Sequence, residues 1–400
     1  MEENENMKNI WKNVCKTFGS DGLFEADGSF ISDAAPESTG SPAFDDILGI
    51  WGYPKGRLIQ IAGKQQSGKT LLSLMAIREW QRKAPHNWAL FIDAEFTFQP
   101  SWAESLGIDL SRLKVIKKNS AIEIFSILNG GKVIEKNSKS KSDNDEKSDA
   151  KKPKKGILDI VIENGGADKS GLGIIVLDSV AAISPPQEIA SDVGKVNMAP
   201  LPRFLPPELR KITPLLANSQ VILLALNHIR TNLGVMYGNP EITPGGNSWD
   251  HHCSVMIKVF RQDGTDSKIF DESNDERIGH KIKIKIEKNK VGPSYRECSV
   301  NIEYLKGFVE RYKEICDLGL KYNVINKNSK MYYSYNGILF KGKENFYNYF
   351  KDNIEECEKI YYLVKEAKKS GVIPIIETNE EEEIEKNIVE EKGEQNVNNM

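Results

Sequence analysis

Gly63-Lys64-Gln65-Gln66-Ser67-Gly68-Lys69-Thr70 stands between an apolar run, Leu58 to Ala62, and a helix-forming run, Leu71 to Trp80. A G-x-x-x-x-G-K-T spacing between strand and helix is that of a phosphate-binding loop. Its glycines let consecutive backbone N–H groups turn toward phosphate, and the following helix presents its positive dipole end. Gly63, Gln66, Ser67, Gly68, Lys69, Thr70 and Leu71 are therefore expected at a nucleotide. Lys69 should reach the β- and γ-phosphates, and the Thr70 hydroxyl should hold Mg²⁺.

Such a loop needs a second strand ending in an acid near the metal. Gly173-Ile174-Ile175-Val176-Leu177-Asp178-Ser179 supplies one, with Asp178 as the second candidate metal residue. Phe91-Ile92-Asp93-Ala94-Glu95 ends another apolar run in a carboxylate, where the ligands of open α/β sheets gather. Glu95 is the candidate to orient or deprotonate an attacking water. Either acid alone reads as well as a solvated or capping carboxylate; beside the loop, the pair reads as a hydrolytic site.

The 400 residues, 39% of them hydrophobic, can bury a large core, and the length suggests two or three domains. The start, MEENENMKNIWKN, is polar, and no apolar run is long enough to span a membrane, so a cytoplasmic location is expected, bacterial or, for a phage-encoded chain, that of the host. Five scattered cysteines without C-x-x-C spacing indicate neither a disulfide framework nor a zinc site. The net charge of −3 conceals a segregation: Glu377 to Glu394 holds nine Glu against two Lys, so the remaining body is net positive. An acidic tail beside a basic body fits a tail that competes with nucleic acid, or equally a solvating end.

Apolar positions at Met7, Ile10, Trp11, Val14 and Phe18 step along one helical face, so residues 1–40 read as an amphipathic helix and linker for contact with another protomer. A core over 41–306 alternates strand-like runs (Arg57 to Ala62, Trp88 to Asp93, Gly173 to Asp178, Val221 to His228) with helical patterns. This predicts an α/β fold with a mostly parallel central sheet covered on both faces. Ser254 to Phe260, Lys281 to Glu287 and Cys298 to Tyr304 are expected to extend it antiparallel. Residues 307–372 read as a small C-terminal α+β domain with a hairpin at Asn336-Gly337, and 373–400 as a disordered acidic tail. The insertion 136–155, with eight Lys and four acids, reads as a disordered surface segment.

FIDAE, IIVLDSVAA, HIRTNLGVMYGNPEITPGGN and KIEKNK, in this order after the phosphate loop, resemble the bacterial RecA recombinases and their phage relatives. The likeness runs from about Lys8 to Lys369 and includes STGS before the loop and YYSYNG near the end. It implies a RecA-like core and a DNA-dependent ATPase that uses ATP and Mg²⁺ and assembles a helical filament on single-stranded DNA. Such a protein pairs that strand with a homologous duplex in recombination and repair, with mediator and single-strand-binding proteins as further partners and no membrane. The resemblance implies that Asp178 supports Mg²⁺ through water, that Glu95 activates water, and that Trp102 and Tyr304 contact the nucleotide. It also implies that Lys288 and Lys290 are donated across the subunit interface to the neighbour's ATP. Without the resemblance, the alternating lysines of Lys281 to Lys285 read as a charged edge strand.

Two DNA-binding loops are implied, 188–210 and 230–247. Met198, Arg203 and Arg210 match DNA contacts in the first; Arg230, Leu233, Gly245, Gly246 and Asn247 do so in the second, where Leu233, Val235 and Met236 are expected to wedge between bases. Glycines there permit close approach to phosphates.

The chain also departs from the family. His228, preceded by Asn227, replaces the usual glutamine that senses the γ-phosphate, a pairing similar to that of phage UvsX recombinases, and an imidazole brings pH sensitivity. Asp250 and His251 replace basic and aromatic residues at the base of the second loop. Pro200, Pro202, Pro206, Pro207 and Pro214 are expected to interrupt what the family builds as helix, with Pro207 starting a shortened helix and Pro214 kinking it. Two other readings use the same residues: a ring-forming hexameric DNA helicase, and a non-catalytic filament protein that binds ATP structurally.

Overall fold

The computed structural model describes residues 36–131, 154–192, 200–231, 241–271, 273, 275–329 and 331–371, with Lys12 and Lys16. Lys12 and Lys16 are helical; the rest of the expected N-terminal helix lies outside the described residues, as do most of the 136–155 insertion, Met198, Leu233, Val235, Met236 and the acidic tail. Residues 1–35 and 36–400 form separate units, and the following concerns the second.

Strands β1 (Leu58–Gly63), β2 (Trp88–Asp93), β3 (Leu113–Lys117), β4 (Leu172–Asp178) and β5 (Ile222–His228) are followed by a short ladder of β6 (Arg230–Thr231) with β7 (Glu241–Ile242). After these come β8 (Val255–Arg261), β9 (Lys268–Phe270), β10 (Arg277–Asn289), β11 (Glu297–Glu303) and β12 (Gly307–Phe308). The large sheet runs β12-β11-β10-β8-β1-β5-β4-β2-β3, with β9 beside β10. From β8 to β3 every pairing is parallel, and from β8 to β12 every pairing is antiparallel.

β1 and β4 are buried throughout, the burial expected of parallel strands covered on both faces. Their residues alternate between two cores. Ile174 and Val176 join Leu72, Met75 and Trp80 of the Lys69–Lys83 helix, whereas Ile175 and Leu177 join Phe125, Leu205 and Leu209 on the other face.

Three expectations need correction. Ser254 to Phe260 does not begin the antiparallel extension: β8 pairs parallel to β1, because the chain leaves the end of β5 and returns through the Gly246–His252 helix before entering the sheet beside the start of β1. The Ser254 N–H donates to Leu58 O at 2.8 Å and sets that entry. Lys281 to Lys285 is not an edge strand, since β10 lies between β8 and β11. The prolines do not interrupt the first DNA-loop region either, where Pro200–Ser219 is one 20-residue helix with Pro206, Pro207 and Pro214 inside it. Leu201, Leu205, Leu209, Ile212 and Leu216 bury one continuous face, and this burial outweighs the missing N–H donors. β3 carries no expectation from the sequence; Lys114 and Lys117 in a five-residue edge strand break the apolar pattern.

Asn326–Ser329, Tyr332–Tyr335 and Ile338–Lys341 form a separate three-stranded antiparallel sheet. Its hairpin turns at Asn336 and Gly337, whose φ values of 48° and 80° suit a two-residue primed turn. Phe346, Phe350, Ile360 and Val364 pack beneath it in a third core.

Candidate nucleotide and nucleic-acid site

Gly63, Asp93, Asp178 and His228 are the last residues of β1, β2, β4 and β5, which are neighbours in the sheet. Gly63 pairs in register with His228, and Asp93 with Asp178. Four strand ends therefore deliver the separate motifs to one crevice at the carboxyl edge of the sheet.

The phosphate loop is tightly built. A Cβ on Gly63 would lie 2.3 Å from Ser67 Oγ and 2.7 Å from Val259 O, and Gly68 has φ 97°, a conformation that glycine adopts without penalty. Lys69 Nζ donates to Gly63 O at 3.1 Å and to Lys64 O at 2.8 Å, so the ammonium is held over the loop. Burial lowers its pKa, opposed by Asp178 and Glu95. Thr70 Oγ1 donates to Asp178 Oδ2 at 2.9 Å, joining the two metal candidates directly. Burial, with the charges of Glu95 and Asp93, pushes the Asp178 carboxyl up to about 6 against the effects of Thr70 and Lys69.

Glu95 is positioned from three sides. Its N–H and that of Ala94 donate to Asp178 O at 3.3 and 2.7 Å, while the buried Asp93 carboxylate accepts from Thr97 N at 3.1 Å and Phe98 N at 3.0 Å. Ser179 Oγ donates to Glu95 Oε1, and His228 Nε2 lies 3.0 Å from the same oxygen. Burial raises the Glu95 pKa, but the contacts from Ser179 and His228 and the Lys69 charge outweigh it and hold the carboxyl below its ordinary range. Glu95 is thus ionised at neutral pH, the state needed to orient or deprotonate water.

A cavity of about 480 Å³ opens from the loop. Gln66, Ser67, Gly68, Lys69, Thr70, Leu71 and Asp178 line it, together with Trp102, Tyr304, Phe98, Gln99, Arg261 and His280. The Trp102 indole donates to Tyr304 O at 2.7 Å, tying together two aromatic residues that are distant in sequence. Volume and lining suit a nucleotide. Ser67 Oγ is buried with no partner among the described residues, an orphan that a phosphate oxygen would satisfy. Thr70 and Asp178 are the hard oxygen donors that Mg²⁺ takes.

The region expected from the sequence to form a second DNA loop stands on the same strand ends. Arg230 and Thr231 pair with Ile242 and Glu241, closing the stem around residues 232–240, which lie outside the described set. Lys258 pins that stem by pairing with Glu241 at 3.1 Å and Glu287 at 2.8 Å. Beyond the stem, Gly245 (φ 115°) and Gly246 (φ 74°) start the helix that presents Asn247 to solvent. A buried junction joins this helix to the strands: Gln60 Oε1 accepts from Asn227 Nδ2 at 2.9 Å and from Trp249 Nε1 at 2.7 Å, and Asn227 Nδ2 also donates to Pro244 O at 2.8 Å. Arg230 is exposed, as are Arg203 and Arg210, which lie two turns apart on the exposed face of the Pro200–Ser219 helix.

Lys288 and Lys290 do not line this cavity. Lys288 Nζ donates to Asp250 O and Lys290 Nζ to His251 O at 2.7 Å, so both satisfy carbonyls at the C-terminal end of the Gly246–His252 helix, where cations are favoured.

Sequence reasoning missed Gln60, Asp93, Ser179, Lys258, Arg261 and His280. Gln60 is a polar residue inside a fully buried strand, and His280 falls in phase with Ile282, Ile284 and Ile286 on the buried face of β10; both were visible as breaks in an apolar pattern.

The model of the RecA N-terminal domain matches residues 5–137 and 142–309. The chain is similar to the RecA protein of Macrococcus caseolyticus, 33% identical over 367 residues that cover 92% of this chain and 91% of the relative. It is similarly related to the RecA protein of Ehrlichia canis, 34% identical over 365 residues covering 91% and 90%. Among solved structures, the RadB recombinase aligns at a TM-score of 0.44 and 14% identity, covering 68% of this chain and 98% of that one.

Proposed function

Because this chain belongs to the RecA family, whose members are DNA-dependent ATPases that form filaments on DNA, we propose that it is a homologous recombinase that hydrolyses ATP with Mg²⁺. It assembles on single-stranded DNA, pairs it with a homologous duplex and exchanges strands in recombination and repair. One arrangement carries the reading. The ionised Glu95 carboxylate, bonded to His228 at 3.0 Å, stands between the phosphate loop and the strand that leads into the second DNA loop.

Lys69 and the loop N–H groups bind the phosphates, and Thr70 and Asp178 hold the metal. Mg²⁺, when bound, neutralises phosphate charge. Glu95 orients a water and takes its proton, while Lys69 stays cationic to stabilise developing charge. His228 reports on this event, because any group that draws its Nε2 away from Glu95 moves the end of β5. Asn227, the next residue back, is fixed to Pro244 O and Gln60, so the movement reaches the Gly245–Asn247 turn. Arg203, Arg210, Arg230 and Asn247 then contact the strand, mostly at its backbone, which gives little sequence preference and marked salt dependence. Lys288 and Lys290 exchange their helix carbonyls for the neighbouring protomer's phosphates, which ties turnover to assembly.

The test is ATP hydrolysis with and without single-stranded DNA, together with a joint-molecule assay on homologous duplex. Wild-type protein gives DNA-stimulated turnover and homology-dependent joints. Lys69→Ala loses both, and Glu95→Gln retains nucleotide while turnover falls roughly 100-fold. DNA-stimulated turnover without joints would support the hexameric helicase, and nucleotide binding without turnover the structural filament protein.

A further inference from the structure

His280 lies on β10 and faces the nucleotide cavity beside Tyr304. Its side chain lines the cavity with Trp102 and Tyr304, and the residue is only 4% exposed. The imidazole centroid sits 5.6 Å from that of Tyr304, with the rings tilted by 49°. Among the described residues, neither Nδ1 nor Nε2 has a hydrogen-bond partner. Buried imidazoles with both nitrogens unpaired are rare, because a polar group taken out of water is normally satisfied by protein, solvent or ligand. Burial first, then the charges of Arg261 and Arg277, push this imidazole down to about 4, so at neutral pH it carries one N–H donor and one free lone pair.

The phosphate-binding groups that line the cavity are on the loop from Gln66 to Leu71 and at Asp178. A neutral ring adds little to phosphate binding, whereas it matches the edge of a heteroaromatic base, which offers neutral donors and acceptors. Among the described residues no neighbour fixes the tautomer of His280, so either the N–H or the lone pair can face the ligand.

We infer that His280 is a base-reading residue: one ring nitrogen hydrogen-bonds the edge of the purine base that Trp102 and Tyr304 hold, so the site recognises the base as well as the triphosphate. This rests on the nucleotide reading given above. Because the tautomer is free, the imidazole can meet a 6-amino purine with its lone pair or a 6-oxo purine with its N–H, so both ATP and GTP depend on it. Trp102 and Tyr304 supply contact area, and His280 supplies the polar anchor within it.

The experiment measures binding of ATP, GTP and inorganic tripolyphosphate, each with Mg²⁺, to wild-type protein and to His280→Phe and His280→Asn. Phenylalanine keeps the ring and loses both nitrogens; asparagine restores a donor and an acceptor. His280→Phe is expected to weaken ATP and GTP about tenfold each, the worth of one buried hydrogen bond, and to leave tripolyphosphate unchanged, with partial recovery in His280→Asn. Unchanged ATP binding in His280→Phe overturns the assignment, as does an equal loss for tripolyphosphate, which would mark a structural role. Failure of the wild-type protein to bind ATP or tripolyphosphate would instead sink the nucleotide reading, and the role of His280 with it.

Discussion

Asn227 and Trp249 donate to the same buried oxygen, Gln60 Oε1, at 2.9 and 2.7 Å. Gln60 belongs to the strand that enters the phosphate loop, Asn227 precedes His228, and Trp249 belongs to the helix that carries the Gly245–Asn247 turn. The junction is a short physical link between the crevice of the phosphate loop and the stem of the expected second DNA loop.

Replacing Gln60 with leucine leaves the Trp249 indole without an acceptor in the core and takes one of two acceptors from the Asn227 amide, which keeps Pro244 O. Stability should fall by about 3 kcal/mol, measured by urea unfolding. Where the variant folds, ATP affinity should hold within a few-fold while DNA stimulation of turnover drops sharply. Equal losses in both would show that the junction is scaffold and not coupling.

Asp178 is an acid whose pKa rises on folding, from 3.8 to about 6. The protonated form is favoured in the fold, so its stabilisation is complete below the unfolded pKa and lost as pH rises through 6. Metal binding demands the opposite state. Below pH 6 the Mg²⁺ concentration for half-maximal ATP binding should climb about tenfold per pH unit, because a proton competes for the same carboxylate. Magnesium titrations at pH 5.5, 6.5 and 7.5 test this, and coincident midpoints would count against the assignment of Asp178 as a metal residue.

Glu314 and Asp45 form a buried acid pair where the Pro42–Ile47 helix meets the C-terminal helices. Glu314 accepts from Ser41 Oγ at 2.6 Å and from Ala43 N at 3.0 Å, and Asp45 from Thr39 N at 2.7 Å. Burial pushes Glu314 up to about 7 and Asp45 up to about 6. Both are raised, so their stabilisation is present at low pH and disappears as pH climbs from roughly 4 to 7, at a cost of about 3 kcal/mol for a shift of this size. Glu314→Gln should flatten the dependence of the urea midpoint on pH between 5 and 8. A slope as steep as wild type would contradict this.

Lys288 and Lys290 serve the carbonyls of Asp250 and His251 within their own chain. If they also act on the neighbour's nucleotide, Lys69→Ala protomers mixed with Lys288→Ala/Lys290→Ala protomers should regain DNA-stimulated turnover that neither shows alone. The first supplies intact lysines to the intact phosphate loop of the second. No recovery on mixing would confine the lysines to helix capping.

The phosphate loop, Asp178, Glu95 and the parallel core were readable along the chain, because each is a local pattern: a glycine spacing, an apolar strand ending in an acid, a repeat of buried runs. Backbone geometry and burial are properties of neighbouring residues, and a linear sequence records them. The Asn336-Gly337 hairpin was legible for the same reason. What the linear pattern could not carry were the relations between remote segments. Proline content argued against a continuous Pro200–Ser219 helix, yet five apolar side chains buried on one face hold it together. The parallel entry of β8 depends on where the chain turns back after β5, and the convergence of Trp102, His280 and Tyr304 depends on β10 pairing with β8 and β11 pairing with β10. Gln60, Asn227 and Trp249 meet for the same reason, since hydrogen bonds between segments nearly two hundred residues apart exist only after the sheet has set its strand order.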